Sequence, residues 1–137
     1  MQEAWRQFHA GNFEAATKSG GIAALKAMTI YATHLEKKDA AKVKYFQDAM
    51  AMAEALIKAE PKNANAHYQY AYAAGRYSQS ISVMKALKEG YGGKIKNALE
   101  AALKLDPKHA DAHTAMGAYH AEIIDKVGGL VGKLTYG

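Results

Sequence analysis

The sequence predicts an all-α protein built as a helical solenoid, chiefly because one ten-residue phrase occurs twice. Residues 58–67 read KAEPKNANAH and residues 104–113 read KLDPKHADAH, so the chain's two prolines stand 46 residues apart at the same point of the phrase. Each copy is typical of a helix end, a proline that stops the helix, a polar turn and an alanine-rich helix start. Such a unit cannot bury its apolar face alone, and successive units therefore stack on one another.

The composition supports this fold class in a single domain. The chain has 137 residues, of which half are apolar and 23% are charged, enough for one hydrophobic core and too few for two. With only two prolines and abundant alanine, leucine and lysine, helix is the favoured backbone state almost everywhere. We therefore predict one domain over residues 1–137 and no strand.

The spacing of apolar residues divides the chain into six or seven predicted helices. They cover residues 3–10, 13–20, 22–35, 40–59, 63–84, 94–105 and 110–126. The fifth is capped by Asn63 or Asn65 and continues past Ser80. The glycines at 90–93 form the clearest break, and those beyond residue 126 weaken the last helix.

Charge and cysteine content exclude several classes of function. The absence of cysteine excludes disulfides, thiol catalysis and cysteine-type zinc sites. No apolar run approaches the roughly 18 residues of a membrane span. The net charge of +5 is spread among acidic residues, which predicts no nucleic-acid partner. No signal peptide follows Met1, but a chain with its leader removed would look the same, so the sequence leaves both the cytoplasm and the periplasm open.

The stretches around the two prolines resemble the tetratricopeptide repeat, a helix-turn-helix unit of about 34 residues. Ala102 and Pro107 match the end of its second helix, and Met116-Gly117 matches a pair on the next first helix. His67 and His113 stand where that family favours tryptophan. The longer spacing implies about a dozen inserted residues around residues 81–93. The resemblance implies a right-handed α-solenoid.

Residues 64–137 resemble a narrower group, the tetratricopeptide-like domain of the regulator of microtubule dynamics family and its bacterial relatives. The matching motifs are residues 66–71 (AHYQYA), 90–96 (GYGGKIK) and 101–107 (AALKLDP). Microtubule binding is not implied, because no residue here can be matched to it. In that family a further helix would follow Gly137, so we expect the chain to be truncated at its C-terminus.

No constellation in the sequence indicates catalysis or metal binding. Six histidines are present, yet His113 and His120 are seven residues apart, whereas helical metal pairs lie about three or four apart. His67 and His113 are interpreted as bulky packing residues. The serines lack a nucleophile motif and the carboxylates occupy helix flanks. We predict no enzyme activity, no metal and no cofactor.

The tyrosines provide the best functional hypothesis. Tyr68, Tyr72 and Arg76 are spaced four apart and share one helical face. By the resemblance, this face lines the concave groove of the solenoid, together with residues of the next unit: Asp111, Thr114, Ala118 and Glu122. Tyrosine suits protein or peptide recognition because it offers rigid contact area and a hydroxyl. The alternatives are that Tyr68 belongs to the core with Tyr70 and Tyr77, or that the groove holds a small solute.

The last predicted helix lacks a covering neighbour. Met116, Tyr119, Ile123 and Ile124 form its apolar face, and residues 127–134 add four more apolar side chains. In a stacked repeat, a first helix packs against its own second helix. We therefore predict that residues 116–134 either self-associate or are covered by a following helix of a longer protein.

Overall fold

The computed structural model describes residues 2–11 and 21–136, and these residues are almost entirely helical. They form α1 (Gln2–His9), α2 (Gly21–Ile30), a π-helical turn (Tyr31–Leu35), α3 (Asp39–Ala59), α4 (Ala64–Ser80), α5 (Val83–Lys88), α6 (Tyr91–Leu105) and α7 (Ala110–Tyr136). The described part of the chain contains no strand, so the predicted all-α class is confirmed. The helix predicted over residues 13–20 lies outside the described residues.

Two predicted helix boundaries were wrong. The helix through the tyrosines ends at Ser80 instead of reaching residue 84, because Ser82 starts a separate short helix by accepting a hydrogen bond from the Lys85 N–H at 3.1 Å. The next helix begins at Tyr91 rather than Lys94, after Gly90 adopts the left-handed conformation at φ 71° that glycine tolerates best. Beyond residue 126, α7 continues through the glycines to Tyr136.

The helices pack in the order expected of a helical repeat. The consecutive helices α2 and α3 contact each other. Helix α4 contacts α6, although the short α5 lies between them in the sequence. The helices that open successive units are also neighbours, since α4 contacts both α2 and α7. The short helix α5 lies between α4 and α6, within the predicted insertion at residues 81–93, and it accounts for the 46-residue spacing of the prolines. The right-handed turn of the solenoid stays a prediction.

Two hydrophobic clusters form the core. The larger lies among α2, α3 and α4, and its bulkiest members are Leu25, Met28, Phe46, Met50 and Tyr77. The second lies among α4, α6 and α7, and consists of Ala71, Ala98, Leu99, Ala102 and Ala112. Met116 and Tyr119 of α7 are partly buried against this second cluster. The side chains of Ile123, Ile124 and residues 126–134 lie outside the described part, so self-association through residues 116–134, or their coverage by a following helix, stays a prediction.

The two copies of the repeated phrase fold into equivalent turns with different capping residues. Asn63 caps α4 by accepting a hydrogen bond from the Ala66 N–H at 3.3 Å through its side-chain oxygen. At the corresponding position His109 caps α7, because its ring Nδ1 accepts from the Ala112 N–H at 3.1 Å. A helix start needs an acceptor at this point, and either side chain supplies one.

Each repeated histidine forms a hydrogen bond with the turn that precedes its helix. Nε2 of His67 lies 2.9 Å from the Pro61 carbonyl oxygen, and Nε2 of His113 lies 2.7 Å from that of Pro107. Because a carbonyl only accepts, each ring nitrogen donates its hydrogen. His67 is half-buried and His113 is exposed. The interpretation as a bulky packing residue is therefore wrong for the exposed His113, and for the half-buried His67 it stays a prediction.

Candidate functional site

An open cleft of about 320 Å³ lies between α4 and α7, with α6 beneath it. It is lined by Tyr68, Ala71, Tyr72, Gly75, Arg76, Gln79, Ile95, Leu99, Asp111, Thr114, Ala115, Ala118, Tyr119 and Glu122. All six residues predicted for the groove, and Ala118 with them, line this one cleft. The structure thus brings the predicted groove residues together in one place.

Helix α4 forms the aromatic wall of the cleft. The ring centroids of Tyr68 and Tyr72 are 6.2 Å apart, and the Arg76 guanidinium lies 5.4 Å from the centroid of the Tyr72 ring. Arg76 also donates a hydrogen bond to the side-chain oxygen of Gln79 at 3.4 Å. Both tyrosines are half-buried and Arg76 is exposed. A cation over a tyrosine face keeps both groups extended along the cleft.

Helix α7 forms the polar wall. Asp111, Thr114, Ala118 and Glu122 follow one another at helical spacings of three and four, which places them on one face. The first three of these side chains are exposed, and Glu122 is half-buried. Among the described residues, the charged groups that line the cleft are the Arg76 guanidinium on the α4 wall and the Asp111 and Glu122 carboxylates on the α7 wall.

Tyr68 is held where the two walls meet. Its ring centroid is 5.1 Å from that of His109, whose Nε2 donates to the side-chain oxygen of Asn65 at 2.7 Å. Burial, with a smaller contribution from the nearby negative charge of Asp111, raises the pKa of Tyr68 to about 12, while Arg76 acts in the opposite direction. The Tyr68 hydroxyl therefore keeps its proton and remains a hydrogen-bond donor at neutral pH.

Sequence reasoning missed the floor of the cleft. Ala71 and Gly75 alternate with the tyrosine stripe on α4, and Leu99 reaches the cleft from α6. Ala71 and Leu99 are buried, and a Cβ atom at Gly75 would meet nothing within 4 Å. The small residues on α4 were a visible signal, since they leave room beside large neighbours. The contribution of α6 had no comparable signal, because its position relative to α4 is a tertiary property.

A second cavity of about 240 Å³ continues from the cleft toward α1 and α2. The two cavities share Tyr68, Tyr72 and Asp111. The rest of its lining consists of Phe8, Lys26, Thr29, Ile30 and Gln69. Together the cleft and this cavity extend along the three helices α2, α4 and α7.

The described residues contain neither a cluster of metal-ligating side chains nor a helix suited to span a membrane. No group of three or more histidines, aspartates or glutamates there is close enough together to hold a metal ion. Among the helices described, none is both long and apolar enough to cross a membrane.

The stacked helices define the class of this protein as an all-α helical repeat. Residues 17–126 match the family described as regulator of microtubule dynamics protein 1-3, and the chain belongs to this family. The match begins well before residue 64, where the sequence resemblance had been expected to start, and so it takes in α2 and α3. No curated protein and no solved structure matches the chain.

Proposed function

We propose that this protein is a non-enzymatic interaction module that binds a peptide segment of a partner protein in the cleft between α4 and α7. The observation that carries the proposal is the cleft's composition, in which two half-buried tyrosines and an exposed arginine face a polar helix across an apolar floor. Aromatic and arginine side chains contribute most to protein interfaces, because they offer large contact area together with hydrogen bonds.

The shape of the cleft favours a peptide over a small solute. Five lining residues are exposed, namely Arg76, Gln79, Asp111, Thr114 and Ala118, so the cleft is open to solvent along its length. Sites for small molecules bury most of the ligand surface inside a concave pocket. An extended chain can instead occupy both the cleft and the adjoining cavity, which share three residues.

The proposal includes no catalytic step, no metal, no cofactor and no nucleic acid. The histidines near the cleft support the part of the proposal that concerns metals. His67, His109 and His113 each hydrogen bond within the two turns, so these side chains already have partners in the protein. Elemental analysis of protein purified without a histidine tag should find less than stoichiometric zinc, iron, copper or nickel. One bound equivalent that disappears when His113 is replaced would contradict this part of the proposal.

The experiment is a selection of binders from a random peptide display library on the intact chain. The affinity of the selected peptides is then measured for Tyr72→Ala and Arg76→Ala. Because central tyrosine and arginine contacts are each worth about 2 kcal/mol in interfaces, the Kd should rise about 30-fold in either variant. The helical circular-dichroism signal should not change, since both side chains stand at the cleft and outside the core clusters.

Matched controls separate the cleft from general surface effects. Tyr45→Ala removes a partly buried tyrosine of α3, and Lys96→Ala removes an exposed cation of α6; neither residue lines the cleft. Both controls should bind the peptides as the unmodified chain does. The proposal would be overturned if the peptides bound the two control variants more weakly than the unmodified chain but bound the two cleft variants with unchanged affinity. Tight binding of a small solute that excludes every peptide would establish the rival function.

A further inference from the structure

Gln69 is a buried polar residue whose hydrogen bonding is incomplete. Its side chain is 3% exposed, and among the described residues its Oε1 oxygen has no hydrogen-bond donor. A buried amide oxygen without a donor is unfavourable, and most buried polar groups in proteins are satisfied. Gln69 lies on α4 next to Tyr68 and lines the second cavity.

Two other polar groups of this cavity, on Thr29 and Asp111, offer only acceptors to a ligand, whereas the Tyr68 and Tyr72 hydroxyls, which the cavity shares with the cleft, can also donate. The Thr29 hydroxyl is 3.0 Å from the Leu25 carbonyl oxygen and 3.1 Å from that of Lys26, so its single hydrogen is directed to its own helix. Its oxygen lone pairs remain, and the Asp111 carboxylate accepts only. Lys26, the cation among the described lining residues, holds its ammonium 5.7 Å from the centroid of the Trp5 ring.

We propose that the second cavity is a subsite for an N–H group of the bound peptide, with the Oε1 atom of Gln69 as its acceptor. The inference rests on the proposed peptide-binding function and extends it from one cleft to a groove across α2, α4 and α7. The cavity is large enough for a peptide group or one side chain. The aromatic rings of Tyr68 and Tyr72, shared with the cleft, then line the path of the peptide between the two subsites.

The N–H group has two sources in a peptide, the main chain and an amide or guanidinium side chain. Main-chain recognition would make the subsite tolerant of sequence, whereas side-chain recognition would select one residue type. N-methylation of each main-chain amide in turn, and replacement of each polar side chain by norleucine, distinguish the two sources.

The decisive variant is Gln69→Met, which keeps the length of the side chain and removes its hydrogen bonding. Because Oε1 has no donor within the described protein, the free variant should have an unchanged or higher Tm. Peptides selected on the unmodified chain should bind it about five- to tenfold more weakly, the value of one hydrogen bond. The single N-methyl or norleucine substitution that weakens binding to the unmodified chain should have no further effect on Gln69→Met.

Each other outcome overturns the subsite. A lower Tm, or failure to fold, would show that Gln69 has a structural partner. An unchanged Kd would show that the bound peptide gives it no hydrogen bond. Peptides that depend on Tyr72 and Arg76 but not on Gln69 would overturn the subsite alone and leave the proposed function intact. A library without any binders would overturn the proposed function, and the subsite with it.

Discussion

The two halves of the molecule fill their interiors with side chains of different size. Among α2, α3 and α4 the core cluster contains five large side chains beside five alanines, whereas among α4, α6 and α7 it contains four alanines and one large side chain, Leu99. The helices of the second half therefore meet around small residues. The cleft lies on this half, where Ala71 and Gly75 leave space that larger side chains would occupy. The cleft therefore depends on the small residues Ala71 and Gly75 as much as on the tyrosines beside them.

The two halves should also differ in their contribution to stability. Full burial of a large apolar side chain favours folding by about 1.5–3 kcal/mol, and an alanine contributes much less. The first half buries five large side chains almost completely, whereas in the described part of the second cluster Leu99 is the one large side chain buried to that extent. We infer that the first half anchors the fold, and that the half carrying the cleft opens more readily.

The largest effect is expected when one core side chain is shortened in each half, and this experiment tests the inference about stability. Phe46→Ala should lower the free energy of unfolding by about 3–5 kcal/mol, because it leaves a large cavity in the tightly filled cluster. Leu99→Ala should lower it by about 2–3 kcal/mol, at the low end for a buried leucine, because the adjacent cleft lets neighbouring side chains rearrange. Urea denaturation followed by circular dichroism measures both values. A larger loss from Leu99→Ala would reverse the ranking of the two halves.

A smaller effect compares the turns that join the halves. Asn63→Ala should cost about 1 kcal/mol of stability, the usual value of a lost helix cap. His109→Ala should cost somewhat more, because it also removes the hydrogen bond to Asn65 and the ring contact with Tyr68. His109→Asn is the control, since asparagine caps the equivalent helix in the first turn and should restore most of the loss. Equal stability of His109→Ala and the unmodified chain would contradict a capping role.

The smallest effect concerns Tyr68 at alkaline pH. Burial raises its pKa from 10.0 to about 12 in the folded chain, so the folded state binds the phenolic proton more tightly than the unfolded state does. The resulting stability is complete below pH 10 and is lost as the pH rises toward 12. Tyr68→Phe should therefore show a shallower fall in the free energy of unfolding across this range. Burial also raises the pKa of Tyr70 and Tyr91, so part of the fall should remain. An identical pH profile would contradict the assignment.

The sequence alone determined the features that depend on local periodicity and on the repeat. Helical spacing placed Tyr68, Tyr72 and Arg76 on one face, and the 46-residue interval located the insertion that holds α5. These features are local, because the direction of a helical side chain follows from its position in the 3.6-residue turn. The sequence did not reveal that His67 and His113 donate to turn carbonyls, because these hydrogen bonds depend on the conformation of a non-helical segment, which helical periodicity does not describe.

The depth of the cleft, its floor and the second cavity follow from the tertiary structure and could not be predicted from the sequence. The floor comes from α6, and the cavity from α1, α2, α4 and α7 together, so neither follows from the pattern on one helix. The burial of Gln69 is the clearest instance. As a polar residue between two tyrosines it would be placed at the surface by its type, yet the packing of α2 against α4 encloses it. Burial is set by the distances between helices, and those distances depend on side chains that are far apart in the sequence.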